Sequence, residues 1–281
     1  MSTFHKLLLG QNLLVTVFAL LFIFVVKEKP DDPPSAVALF PVSPDNIFRS
    51  FAKLRHNTSY MCLGASFALL FGLYTTFGNL LSVIVGPFGY TASEIAGLGV
   101  IVLIAGVFTA LINGILLDKY SKYLLTVRIL TFTIAVAVLL TTFVFPMKDK
   151  RGYLIAVLCL IGGVSVSMIP TAFAFGVELS YPTLPATANG LFLLAGQFMA
   201  FLLTMLGSFV TKVPSEIKEG EEPVDTKTLA IRFMLILASV AGVAFGFTWF
   251  IKEDLRRKRF SLQRGEESSS TVQDEKASDT K

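Results

Sequence analysis

The sequence predicts an all-α membrane protein that crosses the lipid bilayer seven times. Hydrophobic residues make up 53% of its 281 residues and charged residues only 16%, whereas charged residues form about 25% of an average soluble protein. Seven long apolar windows cover more than half of the chain, and each is close to the roughly 20 residues that a helix needs to cross about 30 Å of hydrocarbon. The windows show no alternation of polar and apolar residues, which excludes the strands of a membrane barrel.

The first window, Leu7–Val26, contains no charged side chain. It is longer than the roughly 7–15 apolar residues of a signal peptide, and no small-residue cleavage site follows it, so we expect residues 1–26 to form the first transmembrane helix. The six later windows are joined by short connections, and we expect residues 60–251 to form a six-helix unit. These windows are Tyr60–Gly86, Ile95–Leu117, Ile129–Met147, Gly152–Val177, Ala186–Thr211 and Phe233–Ile251.

Residues 27–59 form the only long connection between two windows, and we interpret them as a cytoplasmic linker between domains. Prolines argue against a continuous helix at its start. Asp45–Arg55 can form a short amphipathic helix on the membrane surface, with an apolar face made of Ile47, Phe48, Phe51 and Leu54. Residues 252–281 form a cytoplasmic tail, in which the basic stretch Lys252–Arg259 is expected to lie near anionic headgroups. The Glu- and Ser-rich remainder is expected to be disordered.

Small residues and a proline predict two features of the helices. Gly106, Ala110 and Gly114 recur every four residues, which would let a neighbouring helix approach closely. Gly162 and Pro170 lie inside one window and predict a bend in its helix.

The distribution of Lys and Arg predicts the orientation of the chain. One side of the membrane collects thirteen of these residues in its connections and the other side collects seven, so the first side is expected to be cytoplasmic. This places the linker and the C-terminal tail inside the cell and the N-terminus outside. A first methionine outside the cell, directly before a transmembrane helix, suggests that the front part of a longer protein is missing.

The charged and nucleophilic residues exclude several classes of function. The basic residues behind the net charge of +4 lie at the ends of windows and in the tail, where the positive-inside rule accounts for them without a nucleic-acid partner. The interiors of the windows contain no paired carboxylates, histidine cluster or activated nucleophile, so we expect no enzyme activity and no cofactor. His5 and His56, the only histidines, lie outside the membrane core, which excludes a histidine-ligated metal or haem site inside the bundle.

A charged motif follows the third window. It reads Gly-Ile-Leu-Leu-Asp-Lys-Tyr-Ser-Lys over residues 114–122, and Arg128 follows one turn into the next helix. The motif resembles the cytoplasmic signature of the major facilitator superfamily, Gly-x-x-x-Asp-Arg/Lys-x-Gly-Arg/Lys, in its residues Gly114, Asp118, Lys119 and Lys122. We expect Asp118 to sit just before a helix start, where the dipole favours an anion, and neighbouring cations to latch it in one conformation. Ser121 replaces the glycine of the signature, and ordinary interfacial charges are the alternative interpretation.

The position of this motif indicates which part of such a transporter the chain resembles. The signature recurs in both six-helix halves of these transporters. If the first window is helix 6 of a twelve-helix carrier, the motif falls between helices 8 and 9. The resemblance therefore implies helix 6 plus the C-terminal six-helix half. Because these carriers bind substrate between their two halves and work by alternating access, the chain would be a partial transporter with a missing N-terminal half as its candidate partner.

Four further segments narrow the resemblance to one family. In chain order they are Lys27–Ser35, Gly114–Tyr123, Phe173–Pro182 and Ile251–Arg257. Each resembles a segment of the feline leukaemia virus subgroup C receptor-related transporters, solute carrier family 49. The resemblance implies transport of a choline-like or ethanolamine-like cation, with haem as a further substrate claimed for members.

Four polar residues are candidates for the site. Tyr74 aligns with a family tyrosine that lines the central cavity and contacts the cationic headgroup, and a phenol face attracts an ammonium; an aromatic that fills helix packing is the alternative. Gln197 aligns with a family glutamine that faces the same cavity, with a bond to a neighbouring helix as the alternative. Asn79 is a candidate cavity or interhelical group. Glu178, at the membrane edge, matches a family glutamate and is expected to link helices or to gate rather than to contact substrate.

Two classes of function remain after these observations. A facilitator-type carrier of a small-molecule substrate is the leading interpretation. A non-transporting adaptor or receptor subunit, which pairs with another half, is the alternative. Either would be an integral, multi-pass protein surrounded by membrane lipid. A cytoplasmic tail fits the plasma membrane as well as an endosomal or lysosomal membrane.

Overall fold

The computed structural model describes residues 2–25, 47–144, 151–211, 226–255 and 259. Seven helices in these ranges are long and apolar enough to cross a membrane, and the described residues contain no strand. They are α1 (Ser2–Val25), α3 (Thr58–Asn79), α5 (Ala92–Tyr120), α6 (Tyr123–Val144), α7 (Arg151–Ser180), α8 (Pro185–Val210) and α9 (Thr226–Phe247). Two shorter helices, α2 (Ile47–Leu54) and α4 (Leu81–Val85), precede and follow α3 in the chain. The predicted all-α architecture with seven membrane-spanning helices is confirmed.

The helices belong to two compact units, with α1 in one and α2 to α9 in the other. The proline-rich start of the predicted linker and the tail beyond residue 259 lie outside the described residues, so the domain limits given above stay predictions. The amphipathic helix expected within Asp45–Arg55 is present as α2. Its Leu54 is buried in the hydrophobic core, while Phe51 on the same face is about half exposed.

Two pairs of parallel helices make the most extensive contacts in the unit of α2 to α9. α3 packs most extensively on α8, and α5 on α7. The Tyr60 hydroxyl donates to the carbonyl of Ala188 at 2.8 Å, and further along both helices the Thr76 hydroxyl donates to the carbonyl of Ala200 at 3.3 Å. Because the contacts advance in the same direction on both helices, α3 and α8 run parallel.

These pairings exchange helices between two halves of the unit. The first half consists of α3, α5 and α6, and the second of α7, α8 and α9, each a triple of long helices. The first helix of one triple packs on the second helix of the other: α3 on α8, and α7 on α5. The third helices, α6 and α9, pack on each other. In addition α6 packs on α7, and α9 packs on α3. Such reciprocal packing is the pattern of the three-helix repeats found within each half of a major facilitator transporter.

Glycines let the parallel pairs approach closely. A Cβ atom at Gly162 of α7 would lie 2.4 Å from the carbonyl oxygen of Val102 on α5, and one at Gly106 would lie 2.6 Å from Cγ2 of Val166. The packing face predicted from Gly106 is therefore confirmed at that residue. It is wrong at Gly114, where a Cβ atom would meet no atom within 4 Å.

One hydropathy window contains two helices. The window Tyr60–Gly86 is broken at Leu80, after which α4 and a short 3-10 turn over Gly86–Phe88 follow. Hydropathy averaged over a window does not register a change of backbone direction at one residue.

α7 is a single helix that contains Pro170. Gly162, one of the two residues from which a bend was expected, packs closely on α5. The bend itself stays a prediction.

Candidate functional site

Tyr74 lies four turns into α3, on a helix that packs on α7, α8 and α9. Its ring is half-buried and packs against the hydrophobic core. Within the described part of the chain its hydroxyl forms no hydrogen bond, unlike the hydroxyl of Tyr60 on the same helix, which is bound to Ala188. The ring is thus half-buried against the core, and its hydroxyl has no hydrogen-bond partner among the described residues.

Gln197 lies on α8, nearer the start of the α3–α8 pair than Tyr74. A Cβ atom at Gly72 would lie 3.0 Å from the backbone nitrogen of Ala200, and the Thr76 hydroxyl lies 3.1 Å from that of Thr204. Gln197 is three residues before Ala200 on a parallel helix, so it lies level with Leu69, about 7.5 Å before Tyr74 along the pair. The amide side chain is exposed and forms no hydrogen bond to another described residue, so the interhelical bond considered above is not made here.

Asn79 is separated from these two residues. It is the last residue of α3 and is exposed. Five residues along a helix correspond to a rise of about 7.5 Å and a rotation of about 140°, so Asn79 lies beyond Tyr74 and on another face. Asn113, another asparagine within an apolar window, links two helices, because its amide donates to the Thr171 hydroxyl of α7 at 2.7 Å. Gln197 and Asn79 therefore lie on opposite sides of Tyr74 along the helix pair, each about 7.5 Å from its level.

The charged motif forms the turn between α5 and α6. The expectation that Asp118 precedes a helix start is wrong, because α5 continues to Tyr120 and Asp118 lies in its last turn. Ser121 caps α5 with a left-handed backbone conformation, φ 51°, at the position where the signature has glycine. Hydropathy alone could not place the end of α5. The charged residues Asp118 and Lys119 ended the apolar window at Leu117, whereas the helix continues to Tyr120.

The motif residues Asp118, Lys119 and Lys122 are exposed, and Gly114 lies one turn earlier on α5. Within the described residues Asp118 forms no ion pair, and the amine of Lys119 lies 5.5 Å from the centre of the neighbouring Tyr120 ring. The predicted latch between Asp118 and its neighbouring cations is therefore not closed in this conformation.

Arg128 joins α6 to the end of α9. Its Nε and Nη2 atoms each donate to the carbonyl oxygen of Thr248 at 3.4 Å, and its guanidinium lies 5.2 Å from the centre of the Trp249 ring. A carbonyl at a helix C-terminus carries the negative end of the helix dipole, and an indole face attracts a cation. Both partners were missed by sequence reasoning, although Trp249 is the only tryptophan of the chain.

The end of α7 is tied to the start of α3. Glu178 is half-buried in the last turn of α7. Beside it, the carbonyl of Leu179 accepts a hydrogen bond of 2.9 Å from the Asn57 amide, and the Asn57 side-chain oxygen accepts from the backbone of Tyr60 at 3.2 Å. Asn57 therefore caps α3 and links it to α7 next to Glu178, the residue for which the sequence suggested a helix link. The signal for it was an Asn directly before an apolar run, which favours an N-cap.

Comparisons with known proteins agree with this arrangement. Residues 8–204 match the profile of the Major Facilitator Superfamily. The chain is 30% identical to the "Choline/ethanolamine transporter flvcr2a" of Danio rerio over 92% of its own length and 53% of that protein. It is 29% identical to the "Choline/ethanolamine transporter FLVCR2" of Homo sapiens over 91% of its length and 48% of that protein. It is also 24% identical to "Solute carrier family 49 member A3" of Danio rerio over 90% of its length and 53% of that protein.

The chain spans about half the length of these curated relatives. The profile match covers α1 and the helices from α3 into α8, which include Tyr74, Gln197 and the α5–α6 turn. The seven apolar helices make the chain an integral, multi-pass membrane protein. It belongs to the major facilitator superfamily, and the relatives that it matches agree with the resemblance to solute carrier family 49.

Proposed function

We propose that this chain is part of a carrier that moves a small organic cation, choline-like or ethanolamine-like, across a membrane by alternating access. The observation that carries the proposal is that Tyr74 and Gln197 lie on two packed parallel helices, about 7.5 Å apart along the pair, and that neither side chain is hydrogen-bonded to another described residue. Two relatives are named choline/ethanolamine transporters, and the chain matches each of them over more than nine-tenths of its own length.

The two side chains suit the two ends of such a substrate. The face of a tyrosine ring attracts an ammonium group, and this attraction is worth about 2 kcal/mol or more where water is excluded, which is the role proposed for the half-buried Tyr74. The Gln197 amide can donate to and accept from the hydroxyl that choline and ethanolamine share. We assign Asn79 a place in the exit path rather than in the site, because it lies at the end of α3.

The charges of the α5–α6 turn are proposed to act as a gate. Asp118 is exposed and has no ionic partner among the described residues, so it can pair with a cation in another conformation. Lys119 and Lys122 are correspondingly exposed. Arg128 stays bound to α9, which keeps the helices together as a rigid body while the gate opens and closes.

A complete site requires more protein than this chain. Substrates of these carriers lie between two six-helix halves, and the chain spans about half of its relatives. We infer that a further half, the N-terminal one by the resemblance, completes the cavity.

Binding of labelled choline tests the role of Tyr74. Membranes should carry the chain together with the part of the zebrafish flvcr2a protein that it does not match. We expect Tyr74→Ala to weaken binding about tenfold or more, because the loss of about 1.4 kcal/mol changes an affinity tenfold. Tyr74→Phe should bind nearly as the wild type does, because it keeps the ring.

A matched control separates the site from general damage. Tyr153 is an exposed tyrosine near the start of α7, and Tyr153→Ala should leave binding unchanged. Equal binding by Tyr74→Ala and the wild type would show that Tyr74 is a packing residue. Absence of saturable binding to the wild-type assembly would instead favour the adaptor or receptor subunit.

A further inference from the structure

An apolar groove with a volume of about 520 Å³ runs between α2, α3 and α8. Its walls are made largely of small and aromatic side chains, among them Phe51, Gly64, Ala65, Ala68, Ala195 and Phe198. The one hydroxyl in its lining belongs to Tyr60 and already donates to the carbonyl of Ala188 at 2.8 Å. The groove therefore offers an apolar surface without hydrogen-bonding groups, and it is large enough for a single acyl chain.

The floor of the groove is preformed. Phe192 stacks on Tyr60 with ring centres 4.7 Å apart and on Phe67 with ring centres 5.7 Å apart. A Cβ atom at Gly64 would lie 2.9 Å from the Phe192 ring, and one at Gly176 would lie 2.6 Å from it. Because the ring is clamped between two glycines and two aromatic rings, it cannot swing out to fill the groove.

Basic residues surround the end of α3 at which the groove lies. Arg49 and Lys53 are exposed on α2, the helix that supplies Phe51 to the groove wall, and Arg55 is exposed just beyond it. The backbone nitrogen of Lys252 donates to the Ser59 hydroxyl at 3.0 Å, which brings a fourth exposed basic residue to the same end. Of the nearby acidic residues, Glu253 is exposed, and Asp254 is paired with Arg259 at 2.8 Å.

We propose that this groove binds one anionic phospholipid of the cytoplasmic leaflet. One acyl chain occupies the groove, and the phosphate lies among the side chains of Arg49, Lys53, Arg55 and Lys252. A basic amphipathic helix lies in the plane of the membrane interface with its apolar face in the acyl region, and each Lys or Arg near an anionic leaflet adds to the attraction. An uncharged apolar occupant would leave the basic residues around the groove unexplained.

The bound lipid fixes α2 against α3 and α8. Because α3 carries Tyr74, anionic lipid would steady the helix on which the proposed substrate site depends. The lipid site itself does not depend on transport, so the two proposals can fail separately.

Fluorescence quenching tests the site in the full chain. Trp249 is the only tryptophan, so the double variant Trp249→Phe, Phe198→Trp carries one reporter in the groove wall. In vesicles of phosphatidylcholine, a small fraction of phosphatidylserine with brominated acyl chains should quench this reporter severalfold more than the same fraction of brominated phosphatidylcholine. The added substitutions Arg49→Gln and Lys53→Gln should remove this difference.

Matched variants distinguish binding of the lipid at this groove from a general attraction of anionic lipid to a basic protein. Lys227→Gln with Arg232→Gln removes two exposed basic residues of α9 and should leave the preference for phosphatidylserine intact. Ala195→Phe fills the groove and should lower quenching by both lipids, whereas Leu206→Phe, elsewhere on α8, should not. If Ala195→Phe fails to give folded protein, the charge variants alone decide.

Three results would overturn the proposal. Equal quenching by the two brominated lipids would show no anionic preference. An unchanged preference in the Arg49→Gln, Lys53→Gln variant would show that the α2 charges do not hold the headgroup. Loss of quenching when the unmatched part of the zebrafish relative is added would show that the groove is an interface between transporter halves.

Discussion

Single glycines set the distance between α5 and α7. The carbonyl of Val102 fills the space where a side chain at Gly162 would begin, and a backbone atom cannot move aside as a flexible side chain can. Gly152, in the same helix, has no atom within 4 Å of such a position. The two glycines therefore allow the same substitution to be compared in a packed and in an open environment.

The first prediction concerns this pair. Gly162→Ala should lower the free energy of unfolding by about 1–3 kcal/mol, the usual effect of overpacking. Gly152→Ala should leave it unchanged or raise it by up to about 1 kcal/mol, because alanine is the better helix former. Thermal unfolding in detergent micelles measures both, and equal effects of the two substitutions would contradict the close packing of α5 on α7.

The second prediction about a single residue concerns Ser121. Its left-handed conformation costs a residue other than glycine roughly 1–2 kcal/mol, so Ser121→Gly should stabilise the chain by about 1 kcal/mol. Ser93 lies in the first turn of α5, and Ser93→Gly should instead destabilise it by a few tenths of a kcal/mol. The same unfolding assay compares them, and a loss of stability in Ser121→Gly would contradict the turn geometry.

The α6–α9 contact shows how distant parts of the sequence form one end of the six-helix unit. Arg128 holds the 3-10 turn Thr248–Phe250, which directly follows α9, through the Thr248 carbonyl and the Trp249 ring. This link ties the third helices of the two triples together. It is the element that we expect to keep the six-helix unit rigid during a conformational change.

A third prediction tests this link. Arg128→Ala should lower the free energy of unfolding by about 1–2 kcal/mol, because it removes a cation–π contact and a charged hydrogen bond. It should also shift the fluorescence of Trp249, the only tryptophan. Arg232→Ala removes an exposed arginine of α9 and should change neither quantity. An unchanged Trp249 spectrum in Arg128→Ala would show that the contact is not made.

The helices themselves could be predicted from sequence, but their ends and partners could not. Long apolar runs must become helices in lipid because every backbone amide needs an internal partner, so the seven spans and α2 were found. The break at Leu80 and the extension of α5 to Tyr120 depend on local backbone geometry that hydropathy does not register. The partners of Asn57 and Arg128 lie more than one hundred residues away in sequence, and only the packing brings them together.

The whole unit consists of two three-helix groups that pack reciprocally on each other. Tyr74 and Gln197 lie on the first helix of one group and the second helix of the other. Family resemblance singled out both residues, and the packing of α3 on α8 places them on neighbouring helices, which is the arrangement that the proposed function uses.

Uptake into vesicles is the most direct test of the proposed carrier. Vesicles containing the chain and the unmatched part of the zebrafish relative should accumulate labelled choline or ethanolamine above the level of protein-free vesicles. Tyr74→Ala should reduce this uptake at least tenfold, in line with the lost cation–π contact, and Tyr153→Ala should not reduce it. Uptake by the wild-type assembly that does not exceed that of protein-free vesicles would contradict the account.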